Sequence, residues 1–158
     1  MKKTLLALMF AFMPAFIFAQ KNWQVTIHPA DELQKTKEYT SYMYIDENGN
    51  NFVFWSNSKN VRIVNNEGIF DVDANNFIKA TIGYYDINSK LIKKESKKFH
   101  TENDSYTIAE IPFWNGAKNL IKYLQENDGY VRILAPQYQK VSPWEIIVPC
   151  LNKEKNNI

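Results

Sequence analysis

The chain contains one cysteine, Cys150. It therefore cannot form an intramolecular disulfide, and its fold has to be held by burial. Its five glycines are all isolated from one another. Neither a glycine-rich phosphate cradle nor the G-x-S-x-G elbow of a serine hydrolase is present. The two histidines, His28 and His100, stand far apart, and with a lone cysteine they give no zinc-ligand spacing. A cysteine-protease reading of Cys150 has no activating histidine that the sequence can place beside it. The neighbours in "IIVPCL" make Cys150 a small buried hydrophobe at a strand end, in preference to a reactive thiol or an intermolecular bridge.

One long apolar run is present, from Leu5 to Ala19, preceded by Lys2 and Lys3. A spanning helix needs about 20 apolar residues, and this run is shorter. With Ile17 and Ala19 at the −3 and −1 positions, residues 1–19 read as a signal peptide cleaved to leave Gln20. No cysteine lies near that cut to take a lipid anchor, and no second apolar stretch approaches spanning length. The expectation is a bacterial exported protein, periplasmic or secreted, without a membrane anchor in the mature chain.

Excess charge is also lacking. The formal net charge of +2 resides in Lys2 and Lys3, so the mature chain is neutral. A nucleic-acid binder usually carries a basic excess, and this class of partner is excluded from the expectation.

What remains reads as short alternating segments separated by Asn, Asp, Gly and Pro. Strands are expected at 23–28, around "YMYI" and "FVFWS" on either side of "DENGNN", at 61–64 and at 68–72. Further strands are expected at 77–86, through "LIKKESKKF", at 106–111, at 130–135 and at 144–148. The Asn48-Gly49 pair marks a hairpin. "PADELQKTKE" reads as loop. Within "NGAKNLIKYLQENDGYVRILAP", Ala117, Leu120, Ile121 and Leu124 form one apolar stripe at helical spacing. Asn115 is the expected cap, and Gly129 the expected left-handed exit. So short a helix has to lie on something apolar.

The fold expected is mainly β: a two-layer antiparallel β-sandwich, Ig-like or similar, over residues 20–151 with one short α-helix packed on its end. A small β-barrel is the alternative. Residues 152–158 read as a disordered tail.

Several chemistries can be weighed. Loops starting at Asp46 and Asp71 cluster oxygen ligands, but an EF-hand needs Gly at position six and Glu at twelve. The chain has Asn51 and Asn57, or Asn76 and Ile82, so these loops read as turns in which Asp and Asn bond their own backbone. Asp71 with Asp73, and Glu145 with a cross-strand neighbour, are candidate carboxylate pairs for sugar hydrolysis. They read more simply as solvated strand ends.

Lys90, Lys93, Lys94, Lys97 and Lys98 read as protection of an exposed sheet edge, or else as a face for an acidic partner. Arg62 and Arg132 read as outward side chains covering neighbours; a planar carboxylate contact is the sharper alternative. Beyond the apolar run, six Phe, nine Tyr and four Trp exceed what one small core requires; they read as filling a sandwich with two apolar faces and a helix cover, or else as exposed Tyr and Trp of a recognition surface. Under the second reading, Phe113, Trp114, Tyr138 and Trp144, which flank the helix and its return strand, are the rim of the site.

No catalytic, metal or cofactor residue emerges. The expectation is a non-catalytic binding or protein-interaction domain for a protein or glycan ligand. Its alternatives are a carboxylate-dependent glycan hydrolase, or an inhibitor or chaperone-like partner of an envelope protein.

Overall fold

The computed structural model describes residues 23–151, except for the side chain of Asn115. The expected signal peptide and tail lie outside the described residues. Nine strands are formed: β1 (Trp23–His28), β2 (Tyr39–Ile45), β3 (Asn51–Trp55), β4 (Val61–Val64), β5 (Phe77–Tyr85), β6 (Leu91–Thr101), β7 (Ile108–Ile111), β8 (Tyr130–Ala135) and β9 (Trp144–Pro149). All pair antiparallel in one open sheet of order β1-β2-β3-β4-β7-β6-β5-β8-β9.

Period-two burial decides which side of each strand faces the core. Phe52 and Phe54 of β3, Val61 and Ile63 of β4, and Ala109 and Ile111 of β7 are buried. So are Ile78, Ala80, Ile82 and Tyr84 of β5, Val131, Ile133 and Ala135 of β8, and Trp144, Ile146 and Val148 of β9. They all belong to one apolar cluster. The sheet is joined at its middle by very little, because β6 and β7 pair through just two residue pairs, His100↔Glu110 and Thr101↔Ala109. Five strands lie on one side of that joint and four on the other. The sheet bends back far enough for its outermost strands to touch, with Trp23 Nε1 donating to Pro149 O at 3.0 Å. Trp23 packs edge-on against Phe52 and Phe54, and Cys150 is buried in the same cluster.

A single 3-10 turn, Phe113–Asn115, leads into the helix α1 (Ala117–Glu126). The helix carries the chain from β7 to β8 across the ends of β6 and β5. Its stripe Ala117, Leu120, Ile121 and Leu124 is buried, as the spacing predicts. Tyr123 Oη donates to Tyr85 O at 2.8 Å, and Leu151 N donates to Leu124 O at 2.8 Å.

Three expectations need correction. The helix N-cap is Gly116 at φ 128°, not Asn115. Gly129 is not left-handed; it is needed because a Cβ there would stand 1.9 Å from Tyr85 O. Gly68–Val72 does not form a strand and contributes a lone bridge, Phe70↔Gln137. The segment is tied down by Phe70 N to Tyr106 O and Asp71 N to Pro136 O instead of by a ladder. It consequently carries Asp71 and Asp73 into loop.

The turns repeat one device. Asp46, Asp73 and Asp86 each accept from the backbone N–H groups two and four residues on. The third residue after each, Gly49, Asn76 or Ser89, is left-handed. These Asx turns close the β2–β3 and β5–β6 hairpins and the entry to β5.

Among the described residues, β6 has no strand partner on its β7 side from Leu91 to Phe99. That is the stretch that carries Lys93, Lys94, Lys97 and Lys98, and lysine is a residue that discourages edge pairing.

Gly129→Ala forces a methyl group into backbone and should cost about 3 kcal/mol, read as a lowered denaturation midpoint. Asp86→Ala should cost about 1 kcal/mol, and Asp86→Asn, which keeps an acceptor, less.

Candidate functional site

At the end of the strands opposite α1, three loops converge: Asp46–Asn50 between β2 and β3, Asn65–Phe70 after β4, and Pro136–Pro143 between β8 and β9. Buried amides stitch them together. Asn50 is fully buried. Its Nδ2 donates to Asp46 Oδ2 at 2.9 Å and to Glu67 Oε2 at 2.7 Å, and its Oδ1 accepts from Asn66 N at 2.9 Å. Asn65 Nδ2 reaches Gln137 Oε1 at 3.3 Å, and its Oδ1 accepts from Glu67 N at 2.9 Å. Lys140 Nζ donates to Glu67 O at 2.9 Å. Asn50, Asn65 and Gln137 are three of the four buried polar side chains among the described residues. Such satisfied buried networks fix loop geometry, since leaving one partner unpaired is costly.

Above this network lies a cleft of about 470 Å³. Its lining includes Asp46, Glu47, Glu67, Lys140, Ser142 and Trp144. Trp144 is buried, and its Nε1 has no hydrogen-bond partner among the described residues. Asp46 and Glu67 both accept from one amide nitrogen, so their carboxylates are close neighbours. Asp46 is nevertheless committed to its turn, with Oδ1 taking two backbone N–H groups.

The expected site residues are scattered. Trp144 reaches the cleft from the start of β9, and Tyr138 is half-exposed on the loop before it. Phe113 and Trp114 lie at the far end, at the start of α1. The acid Asp73 caps its turn, and the amides of Phe77 and Asn75 hold its carboxyl below the usual range. Glu145 stands opposite Leu134 in the β8–β9 ladder and is held diagonally by Arg132, whose Nη2 donates to it at 2.6 Å. Arg62 donates through Nε and Nη2 to Glu110 and lies over the Trp55 ring. Both arginines thus make the carboxylate contact instead of merely covering neighbours.

Sequence reasoning missed Asn50, Asn65, Glu67 and Gln137. Their burial arises from loops remote in the chain. Asn66, three residues after Ile63, and the turn at Asn48 offered composition alone as a signal.

A second polar cluster lies on the core side of β5 and β6. Tyr84 Oη donates to Glu95 Oε1 at 2.5 Å, and Lys93 and Lys97 stand 3.1 and 3.5 Å from Glu95 Oε2. Burial pushes the Glu95 carboxyl up, but the Tyr84 hydroxyl and the two lysines outweigh it and hold it below the ordinary value. Burial, then the Glu95 contact, raises Tyr84 far above its ordinary range. The cluster is an ion network in which Tyr84, Lys93 and Lys97 all engage Glu95, and the Tyr84 ring packs against Tyr123 of α1.

No family model, curated protein or solved structure matches this chain.

The sign of the linkage follows from these shifts. Glu95 is lowered on folding, so its contribution is complete above the ordinary value of 4.5 and is lost as pH falls through the lowered one. Tyr84 is raised, so its contribution is complete below 10.0 and is lost as pH climbs beyond it. Glu95→Gln should flatten the acid limb of a Tm-against-pH curve. An acid limb identical to that of the parent protein would contradict the assignment.

Proposed function

We propose that this is an exported binding domain without catalysis of its own, which takes a glycan in the cleft between the three loops. In this reading the sheet, bent at the β6–β7 joint, serves as the two layers of a sandwich whose far end presents those loops. Binding residues are commonly carried on loops held by a rigid scaffold. The observation that carries the proposal is the buried Asn50–Asn65–Gln137 network, which fixes carboxylates, an amide, a hydroxyl and an ammonium around one polar cavity. A sugar ring presents hydroxyls in all directions and needs such a mixture of donors and acceptors.

The engaged state of the acids supports binding over hydrolysis. Inverting and retaining glycosidases need one carboxyl group free to give a proton and a second to attack or to activate water. Here Asp46 and Glu67 share Asn50, and Glu145 is held by Arg132.

A glycan array probed with residues 20–158 should retain one class of glycan. Glu47→Ala with Lys140→Ala should weaken that retention about tenfold or more, since hydrogen bonds to charged groups contribute roughly 1.5–3 kcal/mol. Chromatography of the retained glycan should show it uncut. Release of shortened sugars would replace binding with hydrolysis, and retention unaffected by the double substitution would remove the cleft from the account.

A further inference from the structure

The opposite end of the sheet holds a different kind of groove. It runs between α1 and the end of β3, has a volume of about 370 Å³, and is floored by Phe54, Trp55 and Ile121 with Phe113 beside them. Its charged lining consists of Lys59, Lys118 and Lys122, with no carboxylate among the lining residues. Two acids stand nearby, and both have partners. Glu110 is held by Arg62 and Asn60, and Glu126 makes an exposed 3.9 Å pair with Lys122. Lys59 Nζ lies 5.4 Å from the Phe113 ring centre. Next along the chain, Trp114 is 80% exposed.

Lys118, Ile121, Lys122 and Gln125 recur at helical spacing, so the ammonium groups of α1 flank the groove where the largely buried Ile121, 6% exposed, forms part of its floor. In a chain whose formal net charge is only +2, three lysines around an apolar floor are a concentrated positive field. An apolar groove with an exposed tryptophan beside it is the composition of an interaction surface.

We propose that this groove docks an acidic segment of another protein, one apolar side chain seated on Trp55 and Ile121 and carboxylates on either side meeting Lys59, Lys118 and Lys122. Charge complementarity selects the acidic character, and the concave floor selects a single inserted side chain over a flat membrane surface. The groove and the polar cleft lie at opposite ends of the strands, because α1 joins the end of β7 to the start of β8 whereas the cleft lies on the β2–β3 and β8–β9 loops. The two sites therefore stand or fall separately.

The test is to pan a display library of random peptides on the protein and on Lys118→Glu/Lys122→Glu, both shown to be folded by circular dichroism. Peptides enriched on the parent protein should share acidic residues around one apolar residue. Synthetic copies should bind the double variant at least about tenfold more weakly, because like charges across an interface are strongly unfavourable. They should also bind Glu47→Ala, altered at the polar cleft, as well as they bind the parent protein. Ile121→Ala, which shortens the floor and keeps the charges, should weaken them too. Enrichment without acidic bias, or equal binding to the double variant, overturns the proposal. So does binding to vesicles of anionic phospholipid that the lysine reversal abolishes while no peptide is enriched.

Discussion

Burial of side chains from every strand in a single apolar cluster, an alternate face each from β3, β4, β5, β7, β8 and β9 and one residue each from β1, β2 and β6, is the constraint on which the rest depends. With no disulfide to bind them and just two residue pairs across the β6–β7 joint, the two parts of the sheet are held by what they bury together. Phe52, Phe54 and Ile63 come from one side, and Ile82, Ile133, Trp144 and Ile146 from the other. Burying side chains of this size contributes roughly 1.5–3 kcal/mol each before the entropy of ordering is set against it. The Trp23–Pro149 hydrogen bond is then a consequence of the bend, since the outermost strands meet because the core draws them together.

The polar features are arranged around that core. At one end the helix covers it, with its apolar stripe inward and its lysines outward. At the other end the loops approach one another closely enough to bury Asn50, Asn65 and Gln137, with Glu67 linking Asn50 to Asn65 and Asn65 reaching Gln137. A cleft of fixed shape is what such a network leaves, because none of its members can turn away without stranding a partner. The Asx turns contribute by keeping loops short: Asp46 bonds its own turn and Asn50 at once, linking the hairpin to the cleft.

Much of the strand pattern was legible because alternation survives wherever one face is buried. "FIKATIGYYD" buries Ile78, Ala80, Ile82 and Tyr84 as its period demands, and α1 follows its stripe. The pattern failed where local apolar content was satisfied by something other than a ladder. Ile69 and Phe70 looked like strand, yet Phe70 is an anchor against Trp144, with ring centres 5.2 Å apart. Gly129 was legible as special but not for the right reason, since the close approach of Tyr85 O is a tertiary fact. The core-facing side of β6, with Lys93, Glu95 and Lys97 on the same face as Phe99, hid its orientation behind charges that pair with one another. The cleft was illegible for a related reason: Asn65 and Gln137 meet across a separation of 72 residues, and isolated amides in turns give no sign that they will be buried.

Native-state hydrogen exchange, resolved by residue, tests the shared core most directly. If both parts of the sheet depend on the same buried cluster, the slowest amides of β3 and β4 and those of β5 and β8 will exchange with the same free energy of opening and respond equally to denaturant. Two separate opening energies, one for the five strands on the β1 side of the joint and another for the four on the β9 side, would show that each part stands alone and would contradict the account.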